Sequence, residues 1–305
     1  MHEMIETIPP LPQRPIGGHK GTFGRVGVIG GSGGDDPRMI GAPALAALGA
    51  ARSGCGLVKI GAPAPILDHT LTIAPFATGI ALPTDAASSL DPSGSVERFD
   101  EIAMSCDALV VGPGMGRSAG VDALVIRAVL QEDAPCVLDA DGLNSLCDIP
   151  LFWEEMRGEL VLTPHPGEAR RLLSSVAMND ADPAGSPDER LRSCVALARR
   201  LGCVVVLKGA GTVVSDGLRA WVCRAGHPCL ATGGTGDVLA GVIGGLIAQT
   251  RGTLDLFACA QAGVQAHALA GQAWAEREGA SGGMTPSDLA GLIPGEVERL
   301  RSSGG

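Results

Sequence analysis

Tyrosine is absent from the 305-residue chain, and 5 Phe and 3 Trp are its only aromatic side chains. A core with so few rings must be built from Val, Leu, Ile and Ala, with close backbone approach where glycine permits it. Charge is sparse as well: 18% of residues are charged against 45% hydrophobic, which excludes a solvated disordered chain. No stretch of 18 apolar residues occurs, and the best run, 238–248, is too short and too glycine-rich to span a bilayer. No membrane partner is expected. Lys/Arg runs are missing too, and 23 basic against 33 acidic residues give a net charge of −10, which repels nucleic acid at long range. None of the 9 cysteines forms a C-x-x-C pair, excluding a zinc knuckle or a thioredoxin-type motif. Reduced, buried thiols are expected instead. The N-terminus has no apolar signal-peptide core, so a cytoplasmic protein is expected.

Glycine is what the chain has in excess, with 45 residues beside 21 Pro and no period that would suggest collagen. Short β-branched runs at 26–29, 57–60, 109–111, 136–138, 160–163 and 204–207 lack polar alternation, as strands buried on both faces do. Alanine-rich helical segments at 42–53, 121–130, 168–174 and 190–201 lie between them, and helices are expected near 237–249, 254–278 and 287–301. Segments 82–94 and 178–188 read as surface loops. Alternation of strand and helix predicts an α/β fold, a three-layer α/β/α sandwich around a mostly parallel sheet. Residues 1–305 are expected to form one domain, with 1–18 as an N-terminal extension. Ligands of such sheets sit at the carboxyl ends of the strands, where nearly every run here is followed by glycines or ionisable residues.

The sharpest of these loops is Gly233-Gly234-Thr235-Gly236-Asp237, leading into an apolar helix. Converging amides and the positive helix end form an anion hole, and a carboxylate beside it suits a general base facing a hydroxyl. The alternative is a helix cap by Thr235 or Asp237. Gly30-Gly31-Ser32-Gly33-Gly34 resembles a dinucleotide loop, but Asp36 stands where the last glycine of G-x-G-x-x-G belongs. No G-x-x-x-x-G-K-[ST] occurs, so Walker-type binding is excluded. Gly112-Pro113-Gly114-Met115-Gly116 leaves room for a ligand, or is simply a tight turn. Lys208 at a strand end, before Gly209-Ala210-Gly211-Thr212, suits a phosphate or sits at an ordinary hairpin. In Thr163-Pro164-His165-Pro166-Gly167-Glu168 the prolines hold His165 at the loop tip as a substrate contact, with Glu168 opening a helix; a zinc pair is the weaker reading. Asp139 and Asp141 hold Mg²⁺ through water, or Asp141 caps a helix.

Together, HKGTFGRVGVIGGS, GAPALAALGAARSGCGLVKI, VVGPGMG, VLDADGLN, LTPHPGEARRLL, VVLKGAGTVV and ATGGTGDVLAGVIGGLIAQ resemble, in order and spacing, the ADP-dependent NAD(P)H-hydrate dehydratases of the ribokinase-like superfamily. The resemblance runs from about His19 to Leu300. It implies a repair reaction in which the S epimer of hydrated NADH or NADPH is dehydrated while ADP (or ATP) is split, with AMP and phosphate as products from ADP. By the family's motifs Asp237 is the catalytic base. Ala42, Gly114, His165 and Asp237 contact the hydrated dinucleotide; Lys208, Gly209, Ala210, Gly211, Thr212 and Gly236 contact the adenine nucleotide. Gly233, Gly234, Thr235 and Gly236 hold the transferred phosphoryl, and Mg²⁺ is expected at the phosphates. The resemblance further implies a homotetramer. Many relatives carry an N-terminal epimerase domain, and fewer than 20 residues precede the matching region here, so a separate epimerase is expected in the same pathway. Small-molecule kinases of the superfamily, which act on vitamin precursors, share the G-x-G-D loop; TPHPGE with KGAGT favours the dehydratase. A regulator without catalysis is disfavoured by Asp237.

Overall fold

The computed structural model describes residues 2–34 and 37–302, so Asp36 lies outside the described residues. Its strands are β1 (Glu3–Met4), β2 (Arg25–Ile29), β3 (Leu57–Pro63), β4 (Thr78–Leu82), β5 (Ala108–Val111), β6 (Cys136–Leu138), β7 (Leu160–Leu162), β8 (Val204–Leu207), β9 (Val213–Ser215) and β10 (Arg219–Val222). The helices are α1 (Gly41–Ser53), α2 (Leu67–Ile73), α3 (Pro92–Ala103), α4 (Ala119–Leu130), α5 (Asp141–Asp148), α6 (Phe152–Glu155), α7 (Pro166–Ser175), α8 (Pro187–Leu201), α9 (Thr235–Thr250), α10 (Leu256–Glu278) and α11 (Pro286–Ser302). The strands form one 10-stranded sheet in the order β1-β10-β9-β8-β7-β6-β5-β2-β3-β4. All neighbours are parallel except those of β9, which runs against β8 and β10.

Side chains along the central strands alternate between two cores. Val110, Val137, Val161 and Val206 face α1, α9, α10 and α11. Leu109, Val111, Leu138, Leu162 and Leu207 face the other core, built by α3, α4, α5, α7 and α8. Both faces are therefore covered, and this is the three-layer sandwich expected from unalternated apolar runs. No helix among the described residues is long and apolar enough to cross a membrane.

The valine face is also where the small residues gather. A Cβ on Gly49 would collide with Val238 O, and one on Gly241 with Ala46 O, so α1 and α9 meet backbone to backbone. Such contact sets the position of the α9 N-terminus against the sheet. Gly241→Ala is expected to lower stability by about 1–3 kcal/mol, although alanine favours a helix by about 1 kcal/mol, because the clash is with main chain that cannot rotate away. A fall in the denaturant midpoint with unchanged slope would verify it.

Some elements differ from the sequence expectation. Segment 82–94 is not all loop: Leu82 closes β4, Pro92 opens α3, and Leu82 and Leu90 are buried. Of the segment 178–188, Pro187 and Asp188 already belong to α8, with Ser186 as its N-cap. Within residues 1–18, several described residues pack on the rest of the chain. Glu3 and Met4 pair with Arg219 and Ala220, Leu11 is 2% exposed, and the Arg14 guanidinium lies 3.6 Å from the Phe23 ring centre while donating to Gly54 O.

Candidate active site at the N-terminus of α9

Residues 232–234 turn the chain from a short 3₁₀ segment (Pro228–Leu230) into α9. Gly234 does this with φ +92, a left-handed conformation that a β-carbon would strain, and no side chain caps the helix. Thr235 holds the turn from inside. Its hydroxyl lies 2.8 Å from both Leu230 O and Thr232 O, and its amide reaches Thr232 O at 3.3 Å. The hydroxyl and amide of Thr235, a residue expected at the anion hole, are thus engaged with the loop's own carbonyls. Neither Thr235 nor Asp237 makes a side-chain cap. His267 on α10 donates from Nε2 to Thr235 O at 2.9 Å, because that carbonyl can only accept. Burial pulls the imidazole down to about 4, so it is neutral.

Asp237 lies in the first turn of α9, half-buried. Burial, and then the charge of Asp139, push its carboxyl up to about 7, against the opposing pull of Lys208. Asp139, directly after β6, is 1% exposed and accepts two hydrogen bonds on Oδ1, from Lys208 Nζ at 2.7 Å and Thr163 Oγ1 at 2.7 Å. Burial lowers the Lys208 ammonium, but Asp139 and Glu168 more than offset that, and its pKa is raised. A Cβ built on Gly236 would lie 3.5 Å from Lys208 Nζ, which places the ammonium at the open end of α9.

Around that point lies a cavity of about 530 Å³. Every residue expected to contact the nucleotide lines it: Lys208, Gly209, Ala210, Gly211, Thr212 and Gly236. Leu230, Leu239, Val264 and Ala268 add an apolar wall, and His267 faces the same space. The 208–212 turn does join antiparallel strands, with Leu207 opposite Val213, so the hairpin reading of this segment holds together with its place at the cavity.

The residues expected to contact the dinucleotide are not in this cavity's lining. Ala42 and Gly114 are neighbours, since a Cβ on Gly114 would lie 2.9 Å from Ala42 Cβ. His165 caps α7: Nδ1 accepts from the amides of Gly167 (3.0 Å) and Glu168 (3.3 Å), while Glu168 Oε2 accepts from His165 N at 2.8 Å. Burial, and then Lys208, lower its pKa. Glu168, buried in the same box, is pushed up to about 7 by burial despite Lys208.

Asp141 does not cap α5. It is the helix's first residue, and its Oδ2 accepts from Gly116 N at 2.9 Å, tying the Gly112–Gly116 turn to α5. Ala140 before it has φ +50 and ψ −120, a strained conformation for alanine, held where Asp139 and Asp141 flank it. No group of three or more His, Cys, Asp or Glu among the described residues is arranged to hold a metal.

The profile of the NAD(P)H-hydrate dehydratase family matches residues 26–295. The chain belongs to that family. Among curated relatives, the bifunctional NAD(P)H-hydrate repair enzyme of Coxiella burnetii is 40% identical over 283 residues, 92% of this chain and 52% of that protein. The chain spans about half the length of the first such relatives (52%, 50% and 52%). The ADP-dependent (S)-NAD(P)H-hydrate dehydratase of Neisseria meningitidis is 37% identical over 94% of this chain and 91% of its own length. The fold is that of the Bacillus subtilis ADP/ATP-dependent NAD(P)H-hydrate dehydratase co-crystallised with ATP/Mg²⁺, with TM-score 0.76, 28% identity, and coverage of 97% and 100% of the two chains.

Proposed function

We propose that the chain is one dehydratase domain that removes water from the S epimer of hydrated NADH or NADPH at the expense of ADP or ATP. Asp237 carries the reading: a carboxyl pushed up to about 7 stands next to Gly236, which lines the cavity shared with 208–212. With ADP, ionised Asp237 takes the proton of the substrate hydroxyl, and the freed oxygen attacks the β-phosphorus. A new P–O bond forms, the bond to the leaving AMP breaks, and the amides of Gly233, Gly234 and Gly236 stabilise the charge on the transferred group. Hydroxide is a poor leaving group and phosphate a good one. The C–O bond then breaks with its electron pair going to phosphate, and a proton leaves the adjacent carbon as the ring double bond forms. Ala42, Gly114 and His165 are assigned to holding the dinucleotide. Lys208, Gly209, Ala210, Gly211 and Thr212 are assigned to the nucleotide.

Mg²⁺ would be carried on the nucleotide phosphates, and Asp141, whose charge reaches Asp237, is the carboxylate proposed to steady it. The ion would neutralise charge on the transferred phosphoryl. The proposal extends to a cytoplasmic setting, supported by the unpaired cysteines, and to a homotetramer, supported by the family resemblance and testable by sedimentation.

Incubation with chemically hydrated NADH, ADP and Mg²⁺ tests the reaction. Recovery of NADH absorbance is the expected result; phosphorylation of a vitamin precursor without recovery would favour the kinase reading. Because Asp237 must be ionised to act as base, kcat/KM is expected to rise through about pH 7 and flatten above it, with roughly tenfold loss per pH unit on the acid side. A profile flat from pH 5 to 8 would contradict the role.

A further inference from the structure

Behind the nucleotide cavity lies a buried cation. Arg190, in the first turns of α8, is 9% exposed. Its Nη1 donates to Pro183 O at 2.9 Å, and its Nη2 lies 3.3 Å from Leu207 O and 3.2 Å from Lys208 O. Among the described residues its hydrogen-bond acceptors are these carbonyls, and it makes no ion pair. Gly209 lies against the guanidinium, since a Cβ there would be 3.0 Å from Nη2, and its φ of +137 is one that side-chain-bearing residues rarely adopt.

The geometry points to Arg190 as a positioning residue for nucleotide binding, a role that rests on the nucleotide reading of the cavity. A trans peptide directs its C=O and N–H to opposite sides. Holding Lys208 O toward Arg190 therefore turns the Gly209 N–H away from it, toward the cavity that Gly209 lines. The adjoining amide, Lys208 N–H, is already spent on Pro164 O at 2.9 Å, so Gly209 supplies the first main-chain donor of this turn free to meet an anion. Burying a guanidinium among carbonyls alone is costly. A nucleotide polyphosphate on the opposite face of the same turn supplies the missing counter-charge. One fork thus fixes the direction of a donor and adds a positive field behind it, and its third contact, Pro183 O, anchors both to the segment preceding α8.

The test is calorimetric titration of the full chain with ADP and with adenosine, alongside steady-state kinetics. Arg190→Met is expected to weaken ADP binding and raise its KM about tenfold, corresponding to about 1.4 kcal/mol, with kcat at saturating ADP within about threefold of wild type. Adenosine affinity is expected to change by less than about twofold, because adenosine presents no phosphate to the turn. Arg190→Lys keeps the charge but not the fork, and a partial recovery of ADP affinity is expected. Should the Met variant fail to fold, the Lys variant alone still decides, through weakened ADP binding at unchanged adenosine binding. Unchanged ADP affinity in a folded variant would overturn the proposal while leaving the nucleotide site intact. Equal losses for ADP and adenosine would overturn it as well, showing a role in general folding. Failure of the wild type to bind ADP would remove the nucleotide reading and this one together.

Discussion

Asp237→Asn is expected to lower turnover by about 10³-fold, within the range of a lost general base, and at the same time to stabilise the protein above neutral pH. The two effects share a cause. In the unfolded chain this carboxyl ionises near its ordinary 3.8, whereas in the fold burial and Asp139 hold the proton on up to about 7. Between those values the folded state binds more protons than the unfolded one, so stability falls as pH rises through the window, and the whole penalty is present above about 7. That window corresponds to about 4 kcal/mol with the pull of Lys208 already included, and solvent screening of the half-buried carboxyl reduces the gain expected for the neutral amide at pH 8 to about 2 kcal/mol. Near pH 4 the folded carboxyl is protonated and the unfolded one only about half ionised, so the difference between the proteins should nearly vanish. Thermal unfolding at pH 8 and pH 4, beside NADH recovery at pH 8, reads all of this. An inactive variant equally stable at both pH values would mean that Asp237 is not strained in the resting enzyme.

The sheet's centre was legible because β-branched runs without alternation have one interpretation when glycine, aspartate or a turn follows each. The expected 136–138 and 204–207 agree with the bounds of β6 and β8. Its edges were not. β4 is mostly exposed and carries Gly79, whose Cβ would press on Leu71 and Leu67, so its composition resembles a turn. β1 is two residues long, and β9 and β10 are short arms of a hairpin. At the site, candidates within one loop could be proposed from local chemistry: bare amides beside Asp237, or His165 between prolines. Those that act across the sheet left no local signal. Lys208 and Asp139 are 69 positions apart, His267 sits in the middle of an alanine-rich helix 32 positions from Thr235, and Arg190 reaches Lys208 O from the other side of a strand. Asp141 shows the opposite failure. Its position suits a cap, yet the approach of the Gly112–Gly116 turn gave its oxygen a different donor.

Breaking the Asp139–Lys208 pair is expected to have the second large effect. Asp139 is 1% exposed, and Lys208 supplies the cation beside its Oδ1; in Lys208→Met only Thr163 Oγ1 remains of the two donors described. Removing one member of a buried pair leaves an uncompensated charge and costs about 3–5 kcal/mol, more than a surface ion pair contributes. The variant is also expected to lose ADP affinity, because the same ammonium stands at the open end of α9. Asp139→Asn added to Lys208→Met separates the two losses. The amide needs no counter-ion and can still accept from Thr163, so stability should return by about 2 kcal/mol, while ADP affinity should stay low because the cation is gone. The double variant would argue against this division if it recovered both properties or neither. Recovery of both would make Lys208 a purely structural partner of Asp139, and recovery of neither would mean that the methionine itself disrupts the turn.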